Sequence, residues 1–252
     1  MTITRLIALI AGILPVVIFV ATYIIAAATV ENIPWCNPYL DGCTTITATG
    51  IEYPGAYLLR AGIISSTAFF VLWWYCTEIW LEQVREIRLS GQAALIVWIS
   101  MFASLLLAAS MAVLSEKMSD SKSTRDLWQF HNITAGLFFV LTSVCQIFLT
   151  RKMYRWQSAL GAGLLSLWSK VVLAAMQVLI ILIAIVLLVL GRFTPEATAT
   201  IEWWLATVCC LFYVTSYLDW KDFGLLKPVS QLTAESEFLA AADNDFSKEV
   251  ES

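Results

Sequence analysis

The stretch from Leu164 to Arg192 reads LLSLWSKVVLAAMQVLIILIAIVLLVLGR, and it decides the class of the fold. Before its closing arginine it carries a single charged residue, Lys170. A helix needs about 20 mostly apolar residues to cross the hydrocarbon core of a bilayer. The stretch exceeds that length, so it is predicted to span a membrane as one helix.

Five further apolar runs are also long enough to cross a bilayer. The six predicted spans are Thr4–Val30, Tyr57–Trp80, Gln92–Ser115, Trp128–Thr150, Leu164–Arg192 and Thr200–Trp220. Composition agrees, because the chain is 60% hydrophobic and 13% charged, whereas a soluble domain has about 25% charged residues. Gly161 and Gly163 are predicted to interrupt the chain before the fifth span. The sequence therefore predicts an all-α, polytopic membrane bundle of six transmembrane helices.

The two ends of the chain differ in character. Arg5 and the first apolar run resemble a secretory signal, but the run is too long for a signal core and residues 26–28 are a weak cleavage cue. The first run is therefore predicted to remain as a helix. Residues 1–226 are predicted to form the helical domain. Residues 227–252 are rich in acidic and small residues, which predicts a flexible acidic tail.

Orientation is predicted from the lysines and arginines of the short loops. The first loop, residues 31–56, has none. The basic residues on the opposite side are Arg5, Arg85, Arg88, Arg151, Lys152, Arg155, Lys221 and Lys227. The link between the third and fourth spans does not fit this pattern, because it lies on the predicted lumenal side and carries three basic residues. Acidic residues in the same link offset their charge. Both termini are therefore predicted to be cytosolic, and the first loop lumenal.

The cysteines divide by location. Cys36 and Cys43 lie in the predicted lumenal loop, where oxidation is permitted, so a disulfide between them is predicted; two free thiols packed under the loop are the alternative. The other cysteines lie within spans, where cysteine behaves as a small apolar residue. They are Cys76, Cys145, Cys209 and Cys210. Because the chain has one histidine and no CxxC pair, no metal site and no cofactor are predicted.

Tryptophans and tyrosines cluster near the ends of the predicted spans, which is typical of an aromatic belt at the two membrane interfaces. Those on the predicted lumenal side are Trp35, Tyr53, Tyr57, Trp128, Trp203 and Trp204. Those on the other side are Trp80, Trp156, Trp168, Tyr217 and Trp220. Nearly all of them are predicted to anchor the bundle at the headgroups.

Three ionisable residues stand at similar depth on three helices: Arg60, His131 and Glu202. An ionisable group inside a span is costly and usually faces the bundle interior. We therefore hypothesise that His131 and Glu202 approach one another at the lumenal end, with Arg60 nearby as counter-charge. The alternative is that each of these three side chains extends to the lipid headgroups independently. Asp219 lies about 25 Å from Glu202 along the same helix, at the cytosolic face.

Three motifs occur in order along the chain. The first motif lies in the first loop and consists of residues 37–40 and residues 44–50, which precede Pro54. The second lies in the fourth span and consists of residues 131–136 and 138–140. The third lies in the sixth span and consists of residues 201–204, residues 211–213 and the pair Asp219-Trp220. Together they resemble the signatures of a six-helix family. The family joins the damage-regulated autophagy modulators, the yeast suppressor-of-four-kinase protein with its animal relatives, and the GPI-anchor lipid-remodelling factors.

This resemblance implies two classes of function. The favoured one is a non-enzymatic membrane regulator that interacts with membrane lipids and, through its loops and tail, with a cytosolic kinase-complex or trafficking partner. It would act at lysosomes, other endomembranes or the plasma membrane. The alternative is GPI-anchor lipid remodelling in the ER or Golgi, with a lumenal lipid cavity; a channel or channel subunit is a second alternative. The sequence shows no Ser-His-Asp spacing that names a reaction, and no basic patch that indicates nucleic acid.

Overall fold

The computed structural model describes residues 2–85, 91–113, 122–155, 164–221 and 223. Within them every regular element is a helix. The helices are α1 (Ile3–Thr29), α2 (Ile46–Thr49), α3 (Gly55–Arg85), α4 (Gly91–Val113), α5 (Lys122–Arg155), α6 (Leu164–Val189) and α7 (Pro195–Asp219). Six of these, all except α2, are long and apolar enough to cross a membrane, which confirms the predicted fold class. The predicted break at Gly161 and Gly163 and the acidic tail lie outside the described residues.

Two helices are longer than predicted because hydropathy marks only the part that lies in hydrocarbon. The helix α3 continues to Arg85, beyond the predicted end at Trp80. The helix α5 begins at Lys122 and ends at Arg155, although the apolar run covers only its middle. The added turns, at the C-terminal end of α3 and at both ends of α5, are richer in polar residues than the apolar runs. Such turns can continue a spanning helix into the headgroup region.

The boundaries of α6 and α7 are set by local backbone chemistry. Gly191 has φ of +65°, a left-handed conformation that ends a helix and that glycine adopts readily. Thr194 then caps α7, because its hydroxyl accepts a hydrogen bond from the Ala197 amide at 3.3 Å. Pro195 occupies the first turn, where its missing N–H is no loss. The predicted end of the fifth span at Arg192 is therefore later than the end of α6 at Val189, and the predicted start of the sixth span at Thr200 is later than the start of α7 at Pro195.

A short helix in the first loop, α2, was not predicted, because four residues are too few to show a hydrophobic period. Thr45 caps it by accepting a hydrogen bond from the Ala48 amide at 2.9 Å. Ile46 and Thr49 are buried, so α2 lies with one side in the bundle. This small element carries Thr47 into the candidate site.

The six long helices form a closed ring. In order of contact, the neighbours are α1, α3, α4, α5, α6, α7 and again α1, and α5 also touches α7 across the bundle. Two glycines allow the closest approaches. A Cβ on Gly12 of α1 would collide with Val214 of α7, and a Cβ on Gly62 of α3 would collide with Ile18 of α1. Small residues at helix crossings are what drives close packing inside a bilayer.

Both ends of the described chain lie at one end of the bundle, which we call the termini face. The Thr4 hydroxyl donates to the Phe223 carbonyl at 2.9 Å, and Arg5 Nε donates to the Tyr217 carbonyl at 3.1 Å. The Arg5 guanidinium also lies 3.7 Å above the Tyr217 ring. The loop between α1 and α3 occupies the opposite end, which we call the loop face. Which face is cytosolic stays a prediction.

The first loop is closed on itself and held to the helices. Cys36 and Cys43 form a disulfide with 6.6 Å between their Cα atoms, which confirms the predicted pairing. The Tyr23 hydroxyl of α1 accepts a hydrogen bond from the Cys36 amide at 2.7 Å. The Trp203 indole of α7 donates to the Thr44 carbonyl at 2.9 Å. The loop is therefore a fixed part of the bundle rather than a free connection.

The prediction that the terminal aromatic rings are membrane anchors is wrong for three of them. Trp80, Trp203 and Trp220 are buried within the protein, at most 6% exposed. The Trp220 ring lies 5.7 Å from that of Trp73, in the middle of an aromatic core. Because the ring of helices stays closed out to its ends, the indoles near those ends fill the interior. Trp168, 59% exposed, remains available to lipid.

Candidate functional site

The sole histidine, His131, lies near the start of α5 with its imidazole facing α4. Its exposed fraction is 2%. Nδ1 lies 2.8 Å from the Ser110 hydroxyl and 3.1 Å from the Ser110 carbonyl. The Trp128 ring, one turn earlier, stacks on the imidazole with 5.4 Å between centroids. The ring is thereby fixed on two sides, and its Nε2 is directed toward the first loop.

Thr47 of α2 joins His131 to Glu202. The Thr47 hydroxyl lies 3.3 Å from His131 Nε2. The same hydroxyl donates to Glu202 Oε1 at 3.1 Å, and the Thr47 amide donates to that oxygen at 3.3 Å. The two residues that sequence analysis placed at one depth therefore share one partner, which lies between them.

The result is a chain of four polar side chains from four helices. It runs from Ser110 of α4 through His131 of α5 and Thr47 of α2 to Glu202 of α7. A carbonyl only accepts, so Nδ1–H donates to the Ser110 carbonyl, and the Ser110 hydroxyl donates to the His131 carbonyl at 3.2 Å. A neutral imidazole then accepts from the Thr47 hydroxyl at Nε2, whereas a protonated imidazole donates Nε2–H to that hydroxyl, which donates to the carboxylate. A buried polar network of this kind is stable only while each member keeps its partner. We call these four residues the loop-face chain.

Arg60 does not join the loop-face chain. Among the described residues, the ion pairs do not include one between Arg60 and Glu202. Its Nε and Nη2 atoms are buried and have no hydrogen-bond partner. Depth alone suggested a counter-charge for Glu202, but Arg60 forms no ion pair with that carboxylate.

A narrow cavity begins at Thr47 and Glu202 and continues into the bundle. Its volume is about 40 Å³, room for about three water-sized molecules. Apart from Thr47 and Glu202 its walls are apolar or sulfur-bearing. They are Pro15, Phe19, Ile46, Leu59, Ile63, Phe70, Leu107, Met111, Ala135, Phe138, Phe139, Ala206 and Cys210. The carboxylate therefore lies at the boundary between a polar loop and an apolar interior.

The family model described as the Frag1/DRAM/Sfk1/Cwh43P N-terminal domain matches residues 3–223. The chain belongs to this family. No curated protein and no solved structure matches it. The match covers all six spans and the first loop, and thus the whole loop-face chain, so the resemblance drawn from the three motifs is confirmed.

Asp219, part of the third motif quoted above, has a partner in the structure. Asp219 Oδ2 lies 2.5 Å from Lys170 Nζ of α6, and both side chains are buried. Lys170 Nζ also donates to the Ser166 hydroxyl at 2.9 Å. The Ser166 hydroxyl in turn donates to the Thr215 carbonyl at 3.2 Å. This buried ion pair joins α6 to α7 near the termini face.

Sequence reasoning missed this pair and Thr47. Lys170 and Asp219 each stand near the termini-face end of a span, so the comparison of depths that linked His131 with Glu202 could have linked them too. Thr47 lay inside a quoted family motif but looked like one of several interchangeable threonines. A third missed contact is in mid-bundle, where Gln177 Nε2 donates to Gln146 Oε1 at 2.6 Å.

Proposed function

We propose that the protein is a non-enzymatic, lipid-interacting membrane regulator whose first loop is held in place by the loop-face chain. The observation that supports this most directly is the position of Thr47, between His131 Nε2 and Glu202 Oε1. The placement of the loop then depends on the charge state of one imidazole and one carboxylate. Histidine is the side chain that most readily changes charge near neutral pH.

The size of the interior favours regulation over catalysis. A cavity of about 40 Å³ beside Glu202 is far below the ~300–1,000 Å³ of typical small-molecule pockets. A phospholipid headgroup does not fit there unless the loop moves. Aromatic side chains fill the core below, including Trp73, Trp74 and Phe212, all fully buried. The same filling argues against the channel alternative.

In this proposal the two faces of the bundle have different roles. The loop face responds to acidification of a lumenal or extracellular compartment, and the termini face presents loops and the tail to a cytosolic kinase-complex or trafficking partner. The ring of contacts links the faces, because α7 carries Glu202 near one end and Asp219 at the other. The proposed compartments are lysosomes, other endomembranes or the plasma membrane.

A second candidate function, lipid acyl transfer of the kind used in GPI-anchor remodelling, is favoured by one observation. The Thr47 hydroxyl lies beside an imidazole and a carboxylate at the end of an apolar cavity. In that scheme the hydroxyl oxygen attacks an ester carbonyl while Nε2 takes its proton and returns it to the departing alcohol. An acceptor hydroxyl then takes the acyl group from Thr47 and regenerates the side chain.

One experiment separates the two candidates. The purified protein is reconstituted in vesicles made from a cellular lipid extract that contains GPI-anchored substrates, and the lipids are followed by mass spectrometry. The proposal predicts the same lipid profile with the wild-type chain, with Thr47→Val and with empty vesicles. A product that forms with the wild-type chain and disappears with Thr47→Val would overturn the non-enzymatic reading in favour of acyl transfer.

A further inference from the structure

A groove runs between α5 and α6 in the half of the bundle nearest the termini face. Its volume is about 440 Å³, within the ~300–1,000 Å³ typical of small-molecule sites. It is separate from the loop-face chain, since none of the four residues lines it. The lining residues include Ile147, Arg151 and Tyr154 of α5 and Trp168, Val171 and Ala174 of α6.

The groove changes character along its length. Its deeper part is apolar, between Ile147 of α5 and Val171 and Ala174 of α6. Its outer end carries the Arg151 guanidinium, with the Tyr154 phenol one turn further on. Both residues are exposed, and Tyr154 is 56% exposed. An apolar channel that ends in a cation and a phenol matches an amphiphile with a hydrocarbon chain and an anionic head.

The occupant is set by the surroundings of the groove. It opens to the side between two spanning helices, where the neighbouring molecules are lipids. A helix from a second copy would cover Arg151 and remove its charge from water, which costs several kcal/mol without a paired anion. A phospholipid brings a phosphate, which arginine binds through a bidentate pair of hydrogen bonds. A headgroup with a net negative charge also leaves an uncompensated anion beside the guanidinium, which zwitterionic phosphatidylcholine does not.

We propose that this groove binds one phospholipid with a net negative headgroup, with an acyl chain along α6 and the phosphate on Arg151. The inference deepens the proposed lipid interaction and rests on it for the membrane setting, but it uses none of the residues of the loop-face chain. If the termini are cytosolic, as the loop charges predict, the groove opens into the leaflet that carries the anionic lipids.

Native mass spectrometry of the purified full chain, equilibrated with equal amounts of phosphatidylserine and phosphatidylcholine, tests the proposal. The wild-type chain should retain one phosphatidylserine in preference to phosphatidylcholine by about five-fold, the effect of one basic residue near a lipid surface. Arg151→Gln should remove the preference. Lys152→Gln makes the same charge change one position away, outside the groove lining, and should keep it.

A second variant tests the apolar part without touching the charge. Val171→Trp places a ring in the groove and should lower retention of both lipids at that site. Equal preference in the wild-type chain and in Arg151→Gln would overturn the proposal, as would an equal loss in Lys152→Gln. The proposed function is tested separately, by the hydrogen exchange of amides in the first loop, which does not depend on Arg151 or Val171. A failure of the lipid proposal is therefore distinguishable from a failure of the proposed function.

Discussion

Glu202 accepts two hydrogen bonds from Thr47, one from the backbone amide and one from the hydroxyl, both at the same carboxylate oxygen. Thr47 lies in the first loop and Glu202 on the last helix, so this contact closes the loop over the bundle across 155 positions of sequence. His131 approaches the same hydroxyl from a third element. The position of the loop is therefore set by groups whose charge can change.

Thr47→Val removes the hydroxyl while it keeps the branched shape and the backbone amide. The variant should lose about 1–3 kcal/mol of local stability, because a hydrogen bond to a carboxylate is lost and His131 loses a partner. Hydrogen exchange of the amides in residues 43–50 should become faster. Thr29→Val is the matched control, because Thr29 is exposed and its hydroxyl bonds only to the Ile25 carbonyl of its own helix. Equal exchange in the two variants would contradict the bridging role.

The disulfide provides a second test of the loop. The disulfide closes a short loop, because Cys36 and Cys43 are 7 positions apart in the sequence. For a loop of this length the loss of chain entropy in the unfolded state predicts about 2–3 kcal/mol of stabilisation. The double variant Cys36→Ser, Cys43→Ser should lower the thermal unfolding temperature and speed exchange in the loop, while the spans stay inserted. The buried pair Cys209→Ser, Cys210→Ser is the comparison, since those thiols form no disulfide; it should leave exchange in the first loop unchanged.

The ion pair of Lys170 and Asp219 should behave as a buried charge pair. Asp219→Asn leaves the lysine charge without its counter-ion and should cost about 3–5 kcal/mol. The double variant Lys170→Met, Asp219→Leu replaces both charges by apolar groups and should recover most of that loss. Thermal unfolding of the wild type, Lys170→Met, Asp219→Leu and the double variant in one detergent gives the coupling energy. Additive losses in the double variant would show that the pair is not coupled.

Close packing of α1 on α7 is tested by one methyl group. In Gly12→Ala the new Cβ would collide with Val214 and the Cys210 carbonyl, so the variant should lose about 1–3 kcal/mol. Gly136→Ala is the control, because a Cβ there meets nothing within 4 Å. That control should be neutral or more stable by up to about 1 kcal/mol, the helix preference of alanine. Equal stability of the two variants would contradict the described crossing.

The sequence predicts the spans well because the bilayer imposes one length and one composition on them. It predicts their ends less well, since Lys122 and Arg85 continue helices beyond the apolar runs. Depth along a span follows from counting residues, and it brought His131 and Glu202 to the same level. The direction of a side chain does not follow from counting, and Arg60, expected as the counter-charge of Glu202, forms no ion pair with it.

The remaining site residues depend on tertiary contacts that a single sequence does not encode. Thr47 becomes specific only once α2 is folded against α5 and α7. Lys170 and Asp219 become a pair only once α6 and α7 are neighbours in the ring. Trp203 and Trp220 look like interface anchors until the closed ring places their indoles in the core. In each case the sequence shows the chemical character of the side chain, but it does not show which residue the side chain contacts.

The central claim is that a titratable chain holds the first loop. Hydrogen exchange of residues 43–50 at about pH 8 and about pH 4, a range that includes the ordinary pKa values of histidine and glutamate, tests it most directly. A carboxylate accepts stronger hydrogen bonds than a neutral carboxyl group, so the wild-type loop should lose protection when acid protonates Glu202. The double variant His131→Asn, Glu202→Gln keeps hydrogen-bonding groups at both positions but cannot titrate, so its loop should show the same protection at both pH values. A wild-type loop equally protected at both pH values, or an acid response that persists in the double variant, would contradict the account.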